Sequence, residues 1–132
     1  MSVDEIALTL PGDDAFHGVA HLVLGGVATR HDLTVETLED LTLALDTLLA
    51  RCADRAEAVT LLARIGDDAA VIEIGPFRTG ELAPVLEQSE GGALDARRIL
   101  DAVSDSVELI ERGGGDWVRV TKSVERVTGD GR

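Results

Sequence analysis

Ala58-Val59-Thr60-Leu61-Leu62-Ala63-Arg64-Ile65, then Gly66-Asp67-Asp68, then Ala69-Ala70-Val71-Ile72-Glu73-Ile74-Gly75 is the stretch that decides the fold. Two β-rich runs joined by a Gly-Asp turn read as a hairpin, and a tight hairpin makes its strands antiparallel. Upstream, Ile6 to Leu10 alternates apolar with small or polar residues and runs into Pro11-Gly12, which predicts a first strand. From about Asp14 to Arg30, Phe16, Val19, Ala20, Val23 and Val27 recur at helical spacing. Gly18, Gly25 and Gly26 each weaken that helix by about 1 kcal/mol relative to Ala, so close packing against another element is expected there. Thr34 is placed to cap a second helix, Val35 to about Ala53, with Glu36 and Glu39 near its positive end. Its apolar stripe is Leu38, Leu41, Ala44, Leu45, Leu48 and Cys52.

Downstream, Pro76 to Gly92 is a polar connection with one helical turn around Leu82 to Leu86. Leu94, Ala96, Ile99, Leu100 and Val103 mark a third helix. Val107 to Glu111 and Trp117 to Lys122 form a second hairpin around Gly113-Gly114-Gly115-Asp116. The order β-α-α-β-β-α-β-β predicts an α/β fold: a two-layer α/β sandwich with a mixed, largely antiparallel sheet and the helices on one face. One domain is expected over residues 1–123, followed by a polar, frayed tail over 124–132.

The chain has 132 residues, a length that suits a single core, and 45% of them are apolar. Twelve basic residues against 25 acidic ones leave a net charge of −13, which repels nucleic acid phosphates and suits solubility or a basic partner. The single cysteine, Cys52, forms no disulfide within the chain. The N-terminus is acidic where a signal peptide would be basic, and the apolar run Val19 to Val27 is too short to span a bilayer. These features predict a cytoplasmic protein with neither a membrane nor a nucleic acid partner.

Four phrases carry a family resemblance: Leu8-Thr9-Leu10-Pro11; Leu33-Thr34-Val35-Glu36-Thr37-Leu38-Glu39-Asp40-Leu41; Asp105-Ser106-Val107-Glu108; and Gly115-Asp116-Trp117-Val118-Arg119-Val120-Thr121-Lys122. In this order and spacing the chain resembles the serine-kinase-type bacterial anti-sigma factors, a branch of the gyrase and histidine-kinase ATPase fold. The resemblance implies an ATP site between the second helix, a glycine-bearing turn after a central strand, and a lid before the third helix. It also implies a Glu-x-x-x-Asn pair on helix two, where four-residue spacing turns both side chains toward one metal-phosphate centre.

This chain departs from that pattern at each element. Thr47 stands where the Glu is expected and Arg51 where the Asn is expected; a guanidinium has no acceptor and cannot ligate magnesium. Asp46 lies about 100° around the helix from Thr47. Glu73-Ile74-Gly75-Pro76-Phe77 replaces the adenine-binding Asp-x-Gly-x-Gly, keeping Gly75 and placing Phe77 at the second glycine. Before helix three, Gly91-Gly92-Ala93-Leu94-Asp95 offers no Gly-x-Gly beside the helix, and Asp95 would repel a phosphate. A residual nucleotide pocket would draw on Asp46, Thr47, Arg51, Glu73 and Gly75, with ATP binding left open, magnesium disfavoured and no catalytic residue assigned.

Other residues invite sharper readings that plainer ones outweigh. His17 and His21 stand four apart, a spacing that binds zinc, with no third ligand on their helix. Cys52 lies near Arg51 and Arg55 yet falls on the apolar stripe. Arg78, Arg97 and Arg98 suit a phosphate and equally a solvated face. Trp117 is expected to pack against the helical layer. The resemblance then implies a regulator in transcription control that binds a sigma factor or an anti-sigma antagonist with weak or no ATP turnover. The alternatives are an active ATP-dependent serine/threonine kinase or ATP-binding protein with a rearranged site, using Asp46 or Glu39 as carboxylate, and a homodimerising structural module.

Overall fold

In the computed structural model, which describes residues 4–52, 55–87 and 96–127, five strands form one sheet with the helices layered on one face. The elements are β1 (Asp4–Pro11), a 3-10 turn (Asp14–Phe16), α1 (His17–Arg30), α2 (Val35–Cys52), β2 (Ala58–Ile65) and β3 (Ala69–Phe77). A short α3 (Ala83–Glu87), α4 (Ala96–Val103), β4 (Ser106–Arg112) and β5 (Gly115–Ser123) complete it. The strand order is β1-β2-β3-β5-β4, and every neighbouring pair is antiparallel. The two-layer sandwich expected from the sequence is the fold observed, with the sheet antiparallel throughout.

The β2–β3 hairpin forms as read, with Ile65 opposite Ala70 and Leu61 opposite Ile74. The β4–β5 hairpin is tighter than read. Gly113 and Gly114, at φ 62° and 84°, make a two-residue turn, a backbone that needs positive φ at both positions, and Gly115 and Asp116 already belong to β5. That two-residue difference resets which residues oppose one another across the hairpin.

Thr34 caps α2 as expected, its Oγ1 accepting the Thr37 N–H at 3.2 Å. The α2 stripe is largely as read: Leu41, Ala44, Leu45, Leu48 and Cys52 are buried, joined by Leu49, while Leu38 is half-buried at its edge. Helix α1 is rotated from the expected phase. Leu24 and Ala28 join Ala20 and Val27 on its buried side, while Phe16 and Val19 are exposed. The sequence of α1 is apolar on every side, so periodicity alone does not select the buried one. Nor do its glycines meet close neighbours: a Cβ on Gly18, Gly25 or Gly26 would touch nothing within 4 Å, contrary to the close packing expected there.

Helix α1 ends in a Schellman turn. The Leu33 N–H bonds to Ala28 O, the Asp32 N–H bonds to Thr29 O, and Asp32 sits at φ 56°. Beside this corner, Asp4 receives His31 Nε2 at 2.8 Å and Arg30 Nε at 2.6 Å. The His31 hydrogen bond leads in holding the Asp4 carboxyl below its ordinary value, against a desolvation that would raise it, with help from Arg30.

The segment after β5 is pinned where a frayed tail was expected. Thr34 N–H bonds to Glu125 O and Val127 N–H to Asp32 O. Arg126 donates to the carbonyls of His31, Asp67 and Gly66 at 3.1, 2.5 and 2.6 Å. Three carbonyls in one guanidinium fork anchor it to two separate turns. Residues 128–132 and the Gly91–Asp95 turn lie outside the described residues.

Candidate functional site

Helix α2 carries three of the five residues named for a nucleotide pocket. Thr47 is buried and its Oγ1 donates to Leu43 O one turn back at 2.8 Å, so its hydroxyl is spent inside the helix. Asp46 turns outward, away from Thr47, and its Oδ1 contacts His21 Nε2 across to α1. Arg51 is exposed on the last turn, where its carbonyl accepts Arg55 Nε at 3.2 Å.

The other two residues lie across the sheet. Side chains alternate along a strand, and Ile72 and Ile74 belong to the core beneath the helices, so Glu73 and Gly75 face the opposite side. There Arg119, directly opposite Glu73 on β5, donates its Nε to Glu73 Oε2 at 2.6 Å, and Arg112 Nη2 meets Oε1 at 2.8 Å. The Glu73 side chain is only 3% exposed. Burial alone would raise its pKa; the hydrogen bonds from Arg119 and Arg112 outweigh that and hold it below the ordinary value. Above Gly75 lies the indole of Trp117, so near that a Cβ on Gly75 would stand 2.6 Å from Cδ2. Arg112 closes the stack, its guanidinium carbon 5.1 Å from the ring centroid.

Thus the structure brings Asp46, Thr47 and Arg51 onto one helix, and Glu73 and Gly75 onto the far face of the sheet. Trp117, expected against the helical layer, is buried on the open face of the sheet, because Gly75 leaves room for its ring there. Arg112 and Arg119 were not singled out from the sequence. The Arg112–Trp117 stack follows once the Gly113-Gly114 turn is read as a two-residue loop. The Glu73–Arg119 pair requires the β3–β5 register, which no local pattern gives.

Phe77, at the position of the second family glycine, is buried at the end of β3. Beside it a cavity of about 510 Å³ is lined by Arg55, Ala56, Glu57, Pro76, Phe77, Arg78 and Glu81. Arg78 therefore faces this cavity, whereas Arg97 pairs with Asp101 on its own helix at 3.1 Å. Cys52 is fully buried in the core, as its place on the stripe suggests. His21 is engaged with Asp46, and among the described residues no group of three or more His, Cys, Asp or Glu side chains is placed to hold a metal ion. No described helix is long and apolar enough to cross a membrane.

No protein-family model and no curated protein sequence matches the chain. Among solved structures, its backbone is similar to the crystal structure of the RsbU and RsbW domains of Rv1364c from Mycobacterium tuberculosis. The TM-score is 0.66 at 12% identity, over 95% of this chain and 35% of that one. The chain thus spans about a third of that neighbour's length. At this identity the likeness establishes the fold.

Proposed function

We propose that this chain is a regulator of the anti-sigma-factor type that works by binding a protein partner, a sigma factor or an anti-sigma antagonist, with weak or no ATP turnover. The observation that carries the reading is the state of α2. The fold agrees over nearly the whole chain with a structure containing an RsbW domain. Yet the helix that should present a carboxylate and an amide presents a buried Thr47 bonded to its own backbone and a cationic Arg51. A threonine hydroxyl bonded back into its helix is no carboxylate base, and a guanidinium has no acceptor with which to hold magnesium. On the far side of the sheet, Glu73 and Gly75 are occupied by arginines and by Trp117, which further supports contact over catalysis.

Calorimetric titration of the chain with magnesium and ATP tests the enzymatic half of the reading. The expected result is no heat of binding and no thermal shift at millimolar nucleotide. Measurable magnesium-dependent turnover would establish the kinase alternative. Co-purification tests the other half: recovery of a sigma factor or an antagonist-type protein is expected, and recovery of neither counts against a regulator.

A further inference from the structure

The α1–α2 pair carries a surface that the described residues leave exposed. From His17 to Thr29, α1 carries no acidic residue, lysine or arginine, and a helix apolar on all sides ordinarily buries its whole circumference. Here only one side is buried, and Leu22 on the other is 79% exposed. On α2, Leu43 is 44% exposed. Glu36, Glu39 and Asp46 stand seven and four residues before it and three after, on the same side of the helix. The contact between His21 and Asp46 clasps the two helices, with Leu22 next to one clasp residue and Leu43 one turn from the other. Between 31 and 50 the chain has no lysine or arginine, so the charges that α2 itself places around Leu43 are all acidic.

We propose that this face docks a basic amphipathic helix of a protein partner. The apolar side of such a helix would cover Leu22 and Leu43 while its lysines or arginines meet Glu36, Glu39 and Asp46. Charge selects this occupant over a second copy of the chain: two molecules of net charge −13 would bring acidic rims together, whereas a cationic helix is drawn to the same rim. The inference rests on the reading of the chain as a regulator that works by contact, and gives its partner a chemistry.

The test uses the full chain and two labelled synthetic helices of about 18 residues, roughly five turns, with one leucine pattern and either lysine or glutamate elsewhere. Fluorescence anisotropy should show binding of the lysine peptide and none of its glutamate twin. Leu22→Ser and Leu43→Ser should each weaken the lysine peptide by about tenfold. The double change Glu36→Lys with Glu39→Lys should weaken it far more than Asp67→Lys with Asp68→Lys, which shifts net charge equally on the β2–β3 turn. All six side chains are exposed, so the fold should tolerate these changes.

Equal losses from the two double variants would reduce the effect to net charge and overturn the proposal. So would an unchanged affinity in Leu22→Ser, or sedimentation showing wild-type dimers that Leu22→Ser dissociates. If peptide binding fails while a sigma factor or antagonist still co-purifies with Leu22→Ser and Leu43→Ser chains, the regulator reading stands and only the docking site falls.

Discussion

On the helical face of β3, Ile72 and Ile74 are sealed in a core of leucine, isoleucine and valine; on the opposite face Glu73 is almost as deeply buried with an arginine on each oxygen, and Trp117 covers Gly75 beside it. The first face is closed by the hydrophobic effect, which is non-directional and tolerates imprecise neighbours. The second is closed by geometry: a carboxylate with both oxygens engaged, and a glycine that makes room for the ring whose neighbour, Arg112, reaches back to that carboxylate. Four consecutive residues of β3, Ile72 to Gly75, therefore serve two different kinds of closure. A two-layer sandwich normally leaves its second sheet face to water, and this one has built a small polar lid over it.

The largest expected effect tests the apolar face. Ile74→Ala should lower unfolding free energy by about 4 kcal/mol, through lost transfer energy and the cavity left behind. Urea denaturation followed by Trp117 fluorescence measures it. Removing the charge on the other face should matter less. Glu73→Ala leaves Arg112 and Arg119 without their carboxylate, but both side chains are partly exposed and can turn to water. A loss of about 2–3 kcal/mol is expected, below that of a fully buried pair. A loss equal to that of Ile74→Ala would mean the lid is as rigid as the core, and the contrast would fail.

The Glu73 lid also has a pH signature. Its carboxyl is held below the ordinary 4.5, so its contribution is complete above that pH and disappears as the pH falls through the depressed value. Wild-type stability should therefore drop on acidification in the window beneath 4.5, and Glu73→Gln should flatten that part of the curve. Parallel curves for the two proteins would show that the arginines do not discriminate the ionised form.

The helical face was largely legible in the sequence and the lid was not. Leu41, Ala44, Leu45, Leu48 and Cys52 fall at helical spacing, and β2 and β3 flank a recognisable turn, so periodicity and turn chemistry alone place the α2 side of the core. Helix α1 escaped the same logic because apolar residues surround it; its packing against α2 and β2 selects Leu24 over Phe16. The candidate site was readable as residue types, Thr47 and Arg51 above all, since what a side chain can donate or accept is local. Where Glu73 points was not readable, because Arg119 lies 46 positions away and meets it only through the β3–β5 register. Residues 124–127 hid for a related reason: Arg126 is anchored by backbone carbonyls, which leave no trace in side-chain pattern.

The smallest effects come from one substitution made at two glycines, and their signs should differ. At Gly75 an added Cβ meets the Trp117 ring at 2.6 to 2.9 Å, a rigid obstacle held between the strand and Arg112, so Gly75→Ala should cost about 1–2 kcal/mol and shift the Trp117 emission. At Gly26, in the middle of α1, the added Cβ meets nothing, and the helix gains alanine's propensity while the unfolded chain loses freedom. Gly26→Ala should therefore raise stability by about 0.5–1 kcal/mol, seen as a higher urea midpoint with an unchanged slope. A loss at Gly26 would mean that something in solution already packs against that side of α1. A gain at Gly75 would mean that the indole does not lie over the strand, and with it would go the account of how the open face is closed.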